Sequence, residues 1–280
     1  MRKIKIPDVG KKVKDIFKEC AEDFTRKPNY TSIALKYIDD VEKCSDEYLK
    51  KVPFNINDLY LGSVDESDKI IFDKVYNQKF SKDKEVGRKY YDIIKANAQK
   101  VCPVCGCGTV KNLDHFLPIS KYPLLCVAPI NLIPTCRDCN MEKNSASSDD
   151  YYEIPFHPYL EEIKDVFLKC SISFYPDGSI DIEFFNGYSG DNNMRRKYNS
   201  HIETNGLDEH YSSEALCTID SEKKAYRNYL EKGKKEVLTQ LRIHKESADQ
   251  RDINSWQSAF YCELCNKIDE FCDWLLTPDW

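Results

Sequence analysis

"CPVCGCGTVKNLDHFLPISKYPLLCVAPINLIPTCRDCNMEKN", residues 102–144, decides how the chain is read. It holds two Cys-x-x-C pairs, Cys102/Cys105 and Cys136/Cys139, with Asp114 and His115 side by side between them. Each pair can close a knuckle that points both sulfurs at one ion. Two knuckles give a tetrahedral four-cysteine zinc site of the closed, structural kind. A small, irregular, Pro-, Gly- and Asn-rich segment lacks the apolar area to fold alone, so a metal would supply much of its stability. The plainer reading is two unrelated cysteine pairs. The matched spacing in a chain without an export signal favours zinc. Cys107 is a rival ligand within the first knuckle, and the x2 spacing favours Cys102 and Cys105. Four cysteine ligands leave no open position on the ion, so any chemistry belongs to other residues.

"NLDHFLP" reads as a short strand ending near His115, and "NLIPTCRDCNMEKN" as a loop entering a helix. In that helix Asn140 and Lys143 are three apart and share a face. The order Cys-x2-Cys, Leu-Asp-His-x-x-Pro, Asn-Leu-x-Pro, Cys-x2-Cys-Asn-x-x-Lys over residues 101–145 resembles the HNH endonucleases, also called ββα-metal or His-Me finger nucleases. The resemblance implies a β-hairpin followed by a helix, with one catalytic divalent cation beside a structural zinc. It implies that His115 is the general base, since an imidazole can take a proton from water near neutral pH. It implies that Asp114 and Asn140 ligate the cation. That all-oxygen pair suits Mg²⁺ or Mn²⁺. Asn131 would position the base or hold the connecting loop. Lys143 would neutralise the scissile phosphate or brace the helix against the hairpin. Asn140 stands where many members carry the last histidine of the motif, which shifts the expected preference toward hard cations. The implied reaction is phosphodiester hydrolysis leaving 5′-phosphate and 3′-hydroxyl ends, with DNA favoured over RNA by the resemblance alone.

Outward from this centre, the flanks are helical in pattern. "KKVKDIFKECAEDF" places Val13, Ile16, Phe17, Cys20 and Phe24 on one helical face. "TSIALKYIDDVEKCSDEYLKKV" predicts a helix capped by Thr31 and running on Ile33, Leu35, Ile38, Val41 and Cys44. "KYYDIIKANAQK" predicts a third helix leading directly into Cys102. Beyond the centre, "CSISFYPDGSIDIEFF" alternates about Pro176–Ser179 and predicts a β-hairpin. From about Ser221 to Leu276 helical periodicity returns. The expected class is mainly α with a small inserted ββα-metal module and a C-terminal β-hairpin, α+β overall. The expected divisions are a helical region 1–99, the module at 100–158 and a hairpin-plus-helices region at 159–280.

The chain has 280 residues, 13 cysteines and a formal net charge of −6. No run reaches the roughly 18 apolar residues of a membrane span, and the basic N-terminus lacks the apolar core of a signal peptide. These point to a cytoplasmic protein with reduced thiols and no membrane partner. The acidic balance argues against non-specific coating of nucleic acid. Within 100–145, however, five Lys or Arg (100, 111, 121, 137, 143) face three Asp or Glu (114, 138, 142), mild support for a local phosphate-binding face.

Other candidates read as structure. His157, between prolines, is taken as a packing residue over one that reaches a substrate groove. Cys262, Cys265 and Cys272 lie in a helical pattern and read as buried thiols. His201, His210 and His244 read as structural or exposed. "RRK" at 195–197 reads as a solvated loop. "PDGSIDIEFF" lacks the lysine of a PD-(D/E)xK nuclease. The long flanks suggest target choice or partner docking, as in HNH effectors of bacterial anti-phage systems that pair with an ATPase. The competing class is a non-catalytic zinc-scaffolded module that binds nucleic acid or protein.

Overall fold

The computed structural model describes residues 1–144 and 147–278. It is 54% helical with two small antiparallel sheets, an α+β, mainly helical fold. The chain forms two compact units, one of Arg2–Glu162 and one from Ile163 onward. The N-terminal helices and the cysteine-rich centre thus share one unit. No helix among the described residues is long and apolar enough to cross a membrane.

The first unit begins with α1 (Val13–Glu22), α2 (Pro28–Leu35) and α3 (Ile38–Lys51). The apolar face expected of α1 is present, with Ile16, Phe17 and Cys20 fully buried. The single helix expected from Thr31 is instead two. Pro28 starts α2, its φ already suited to a first helical turn. Thr31 is no cap, because its hydroxyl donates to the carbonyl of Ala21 at the end of α1. The break falls at Tyr37, whose hydroxyl donates to Asp68 at 2.8 Å and whose ring lies 5.5 Å from Phe72.

Next come α4 (Lys69–Lys74), a wider π-type turn (Val75–Phe80) and α5 (Arg88–Ala96). Helix α5 does not run directly into Cys102. Gln99 and Lys100 both take positive φ, 53° and 70°, and turn the chain before Val101. Strands β1 (Asn112–His115) and β2 (Leu132–Thr135) pair antiparallel, with Asp114 opposite Ile133 and His115 opposite Leu132. Pro134 lacks a donor, which a two-stranded ribbon tolerates. Helix α6 (Arg137–Lys143) follows at once. The connection between the strands is not a surface loop. Leu124 through Ala128 are buried, and α3 and α4 pack against it. Each buried leucine there contributes on the order of 2 kcal/mol.

In the second unit, β3 (Leu168–Phe174) and β4 (Ile180–Asn186) form the expected hairpin, with Ile172 opposite Ile182. Alternate residues Cys170, Ile172, Ile182 and Phe184 are buried. The turn depends on Gly178 at φ +89°, a region other residues rarely adopt. Tyr175 N–H donates to the Ser179 carbonyl at 3.0 Å. Helices α7 (Asn192–Thr204), α8 (Leu207–Leu230), α9 (Lys234–Arg251), α10 (Trp256–Asn266) and α11 (Ile268–Leu275) complete the unit. Helix α10 covers β3, and α7 and α8 cover β4.

Two expectations change in this unit. Residues 195–197 are not a solvated loop. Asp191 Oδ1 accepts from the N–H groups of Asn193 and Met194 at 3.0 Å each, caps α7, and so places "RRK" inside the helix with Lys197 fully buried. Of the three late cysteines only Cys272 is buried, whereas Cys262 and Cys265 are half-buried on α10. His201 is buried, and His244 lies between the rings of Tyr226 and Tyr261.

If the Asp191 cap specifies α7, Asp191→Ala costs about 1 kcal/mol. The amides of Asn193 and Met194 should then exchange hydrogen faster than in the parent. Unchanged exchange there would count against the cap.

Candidate active site and metal centre

The first cysteine pair sits in a closed turn. Val101 and Thr109 face each other in an antiparallel bridge. Inside it, Cys102 N–H donates to the Gly108 carbonyl and Gly106 N–H to the Cys102 carbonyl, both at 2.8 Å. The second pair begins α6, where the Cys136 sulfur caps the helix by accepting from Cys139 N–H at 3.5 Å. All four residues are buried, and their sulfurs lie within 4.8 Å of one another. Cys105 and Cys136 Sγ are 3.9 Å apart. Sulfurs tetrahedral about an ion at about 2.3 Å stand roughly 3.8 Å from each other. The four cysteines therefore fit a zinc ion, and Cys107 lies outside their cluster.

The surroundings are shaped to the same end. Gly108 N–H donates to Cys105 Sγ at 3.2 Å. A Cβ on Gly108 would lie 2.7 Å from Cys136 Cβ and 2.8 Å from its sulfur. Only glycine allows that approach, a requirement not recognised in the sequence. Hydrogen bonds from Cys102, Cys107, Cys136 and Cys139 hold the Cys105 thiol well below the ordinary thiol range. Its hydrogen bonds to Cys102, Cys105 and Cys136 push Cys139 up. Cys136 is held down as well and Cys102 is pushed up, so the four thiols do not ionise alike, and four thiolates together need a cation.

The β1–β2 hairpin and α6 bring Asp114, His115 and Lys143 together. Lys143 Nζ lies 2.9 Å from Asp114 Oδ2 and donates to the His115 carbonyl at 2.7 Å. Both side chains are mostly withdrawn from solvent, 6% exposed for Lys143 and 13% for Asp114. Burial raises the Asp114 carboxyl above its ordinary value, and the Lys143 charge opposes that rise. Lys143 thus links the end of α6 to β1. Asn140 lies one turn earlier on α6, half-buried.

His115 Nε2 is 2.9 Å from the Cys126 carbonyl. A carbonyl only accepts, so Nε2 carries the hydrogen and Nδ1 keeps a lone pair. The ring of Tyr76 meets the imidazole edge-on, 4.4 Å between centroids. Tyr76 comes from the π-type turn, and its hydroxyl donates to the Leu113 carbonyl at 3.1 Å. Burial lowers His115 to about 4, with the Cys126 carbonyl opposing the shift and the Lys143 charge adding to it. The ring is neutral at physiological pH.

Asn131 is fully buried and holds the loop that follows His115. Its Oδ1 accepts from Leu117 N–H at 2.8 Å, its Nδ2 donates to the Leu117 carbonyl at 3.0 Å, and its own carbonyl accepts from Phe116 N–H at 2.8 Å. Tyr48, which no motif singled out, donates to Asn131 Oδ1 at 3.1 Å. His157 stands behind it. Its Nδ1 accepts from Tyr159 N–H, so Nε2 carries the hydrogen and donates to the Tyr48 hydroxyl at 3.0 Å. His157 is a buried packing residue, as expected. Of the basic residues counted toward a phosphate-binding face, Lys121 pairs with Asp149 and Lys143 with Asp114.

No family model matches the chain, and no solved structure matches it. Among curated proteins it is similar to Protein ea31 of Escherichia phage lambda, 38% identical over 124 residues. The match covers 44% of this chain and 40% of that protein.

Two outcomes follow from this geometry. Gly108→Ala should retain less zinc per chain than the parent after equilibration with a competing chelator, measured as metal content. Tyr48→Phe leaves the His157 N–H without its acceptor and should lower the stability of the first unit by about 1–3 kcal/mol in urea. A variant as stable as the parent would remove the relay from the account of the loop.

Proposed function

We propose that the chain is a metal-dependent endonuclease of the HNH type that hydrolyses phosphodiester bonds, with DNA as the preferred substrate. One observation supports this reading: in a β-hairpin followed at once by a helix, His115 stands next to Asp114 on β1, is neutral, and has its Nε2–H committed to the Cys126 carbonyl. An imidazole held this way offers Nδ1 as a fixed base. In the proposed reaction His115 Nδ1 takes a proton from the attacking water. Tyr76 and Cys126 keep the ring from turning. Asp114 and Asn140 would hold a cation through oxygen atoms, a donor set suited to Mg²⁺ or Mn²⁺. A divalent cation bound there would supply Lewis-acid stabilisation of the charge on the phosphate. Asn131 fixes the loop behind the base, and the four cysteines hold the N-terminus of α6 in place through zinc. A defence role beside an ATPase subunit is the partner we propose, tested by co-purification.

The second reading is a zinc-scaffolded binding module. The direct pairing of Asp114 with Lys143 favours it, since a purely structural module would neutralise a buried carboxylate in this way. Plasmid nicking separates the two. With Mg²⁺ or Mn²⁺ the parent should nick supercoiled DNA. EDTA should stop it, and His115→Ala should slow it at least ~100-fold. Nicking by His115→Ala at the parent's rate, or none by the parent with either metal, would leave the binding module.

A further inference from the structure

We propose that Lys143 is the resident counter-ion of Asp114 and antagonises divalent-cation binding at that carboxylate. The inference rests on the endonuclease reading only in placing the cation at Asp114.

The ammonium is held at two points. It pairs with Asp114 Oδ2 at 2.9 Å and donates to the His115 backbone carbonyl at 2.7 Å. It is withdrawn from solvent and ends α6, beyond which Asn144 turns at φ 45°. A solvated surface lysine would swing away at little cost. This one would have to give up a charged partner and a carbonyl together. A cation on the other Asp114 oxygen, at roughly 2.1 Å, therefore shares the carboxylate with a fixed positive charge a few ångströms away. In so poorly solvated a place the two cations repel strongly. The arrangement also has a benefit without the metal. Asp114 is never an uncompensated buried carboxylate, the state that costs most. Lys143 thus keeps the hairpin and helix together in the metal-free protein and weakens the site for free cations. A phosphate adds negative charge beside the pair, so nucleic acid and cation should bind each other's complexes more tightly than the free protein.

The test is Mn²⁺ binding by calorimetry on the full, zinc-loaded chain at pH 8, without nucleic acid. Lys143→Met removes the charge and keeps much of the bulk. Lys143→Gln removes the charge and keeps a donor for the His115 carbonyl. Both should bind Mn²⁺ at least tenfold tighter than the parent, and Lys143→Gln combined with Asp114→Asn should lose that gain. If Lys143→Met does not fold, Lys143→Gln alone decides. Affinity equal to or weaker than the parent's overturns the proposal, and so does a gain that survives Asp114→Asn. Tighter binding without DNA nicking would sink the endonuclease reading and leave this inference standing. His115-dependent nicking with unchanged Mn²⁺ affinity would do the reverse.

Discussion

Four sulfurs gathered within 4.8 Å of each other are the constraint on which the centre of this protein depends. One pair belongs to a turn that continues into β1, the other to the first turn of α6. Joining them fixes where the hairpin ends and where the helix begins. From that junction α6 can only run back past β1, which lets Lys143 reach Asp114 and the His115 carbonyl. The same bracing would be hard to obtain from apolar contacts, because a four-residue strand and a seven-residue helix bury little area. Crowded thiols resist joint ionisation, so the cluster is an incomplete structure without a cation.

Around that junction the N-terminal helices are more than packing. They supply Tyr48, which buttresses Asn131, and Tyr76, which lies against the imidazole of His115. Two residues of the proposed site, His115 and Asn131, are therefore backed by side chains from the N-terminal elements. His115 is oriented by Cys126, Asn131 by Tyr48, and Tyr48 by His157. A relay of directed hydrogen bonds in a poorly solvated interior is stiff, because each member is fixed by the next.

Much of this was legible in the residues. Paired spacing made the cysteine cluster readable, since two knuckles have few other uses in a chain of this kind. Period-two alternation about Pro-Asp-Gly-Ser made the second hairpin readable. What escaped depends on tertiary context. Thr31 looks like a cap because a hydroxyl before an apolar run usually is one, yet its hydroxyl serves Ala21. "RRK" looks solvated because three charges in a row usually are, yet the Asp191 cap lies four residues earlier and turns the segment helical. Tyr48 carries no local signal, for its partners are distant in sequence. Gly108 needed the other cysteine pair in view before its missing side chain meant anything. Lys143 offered two roles by position, and its pairing with Asp114 depends on how α6 packs against β1.

The long connection from Phe116 to Asn131 has a bearing on how the molecule comes to be assembled. Strands joined by a tight turn can zip locally, but β1 and β2 are joined by a long stretch that itself packs against α3 and α4. Closing such a span costs chain entropy before any pairing repays it. The thiol pairs are kept apart by the same span. Helical collapse is therefore expected to precede metal capture, and a newly made chain passes through an interval in which its thiols are open to oxidation or to the wrong ion.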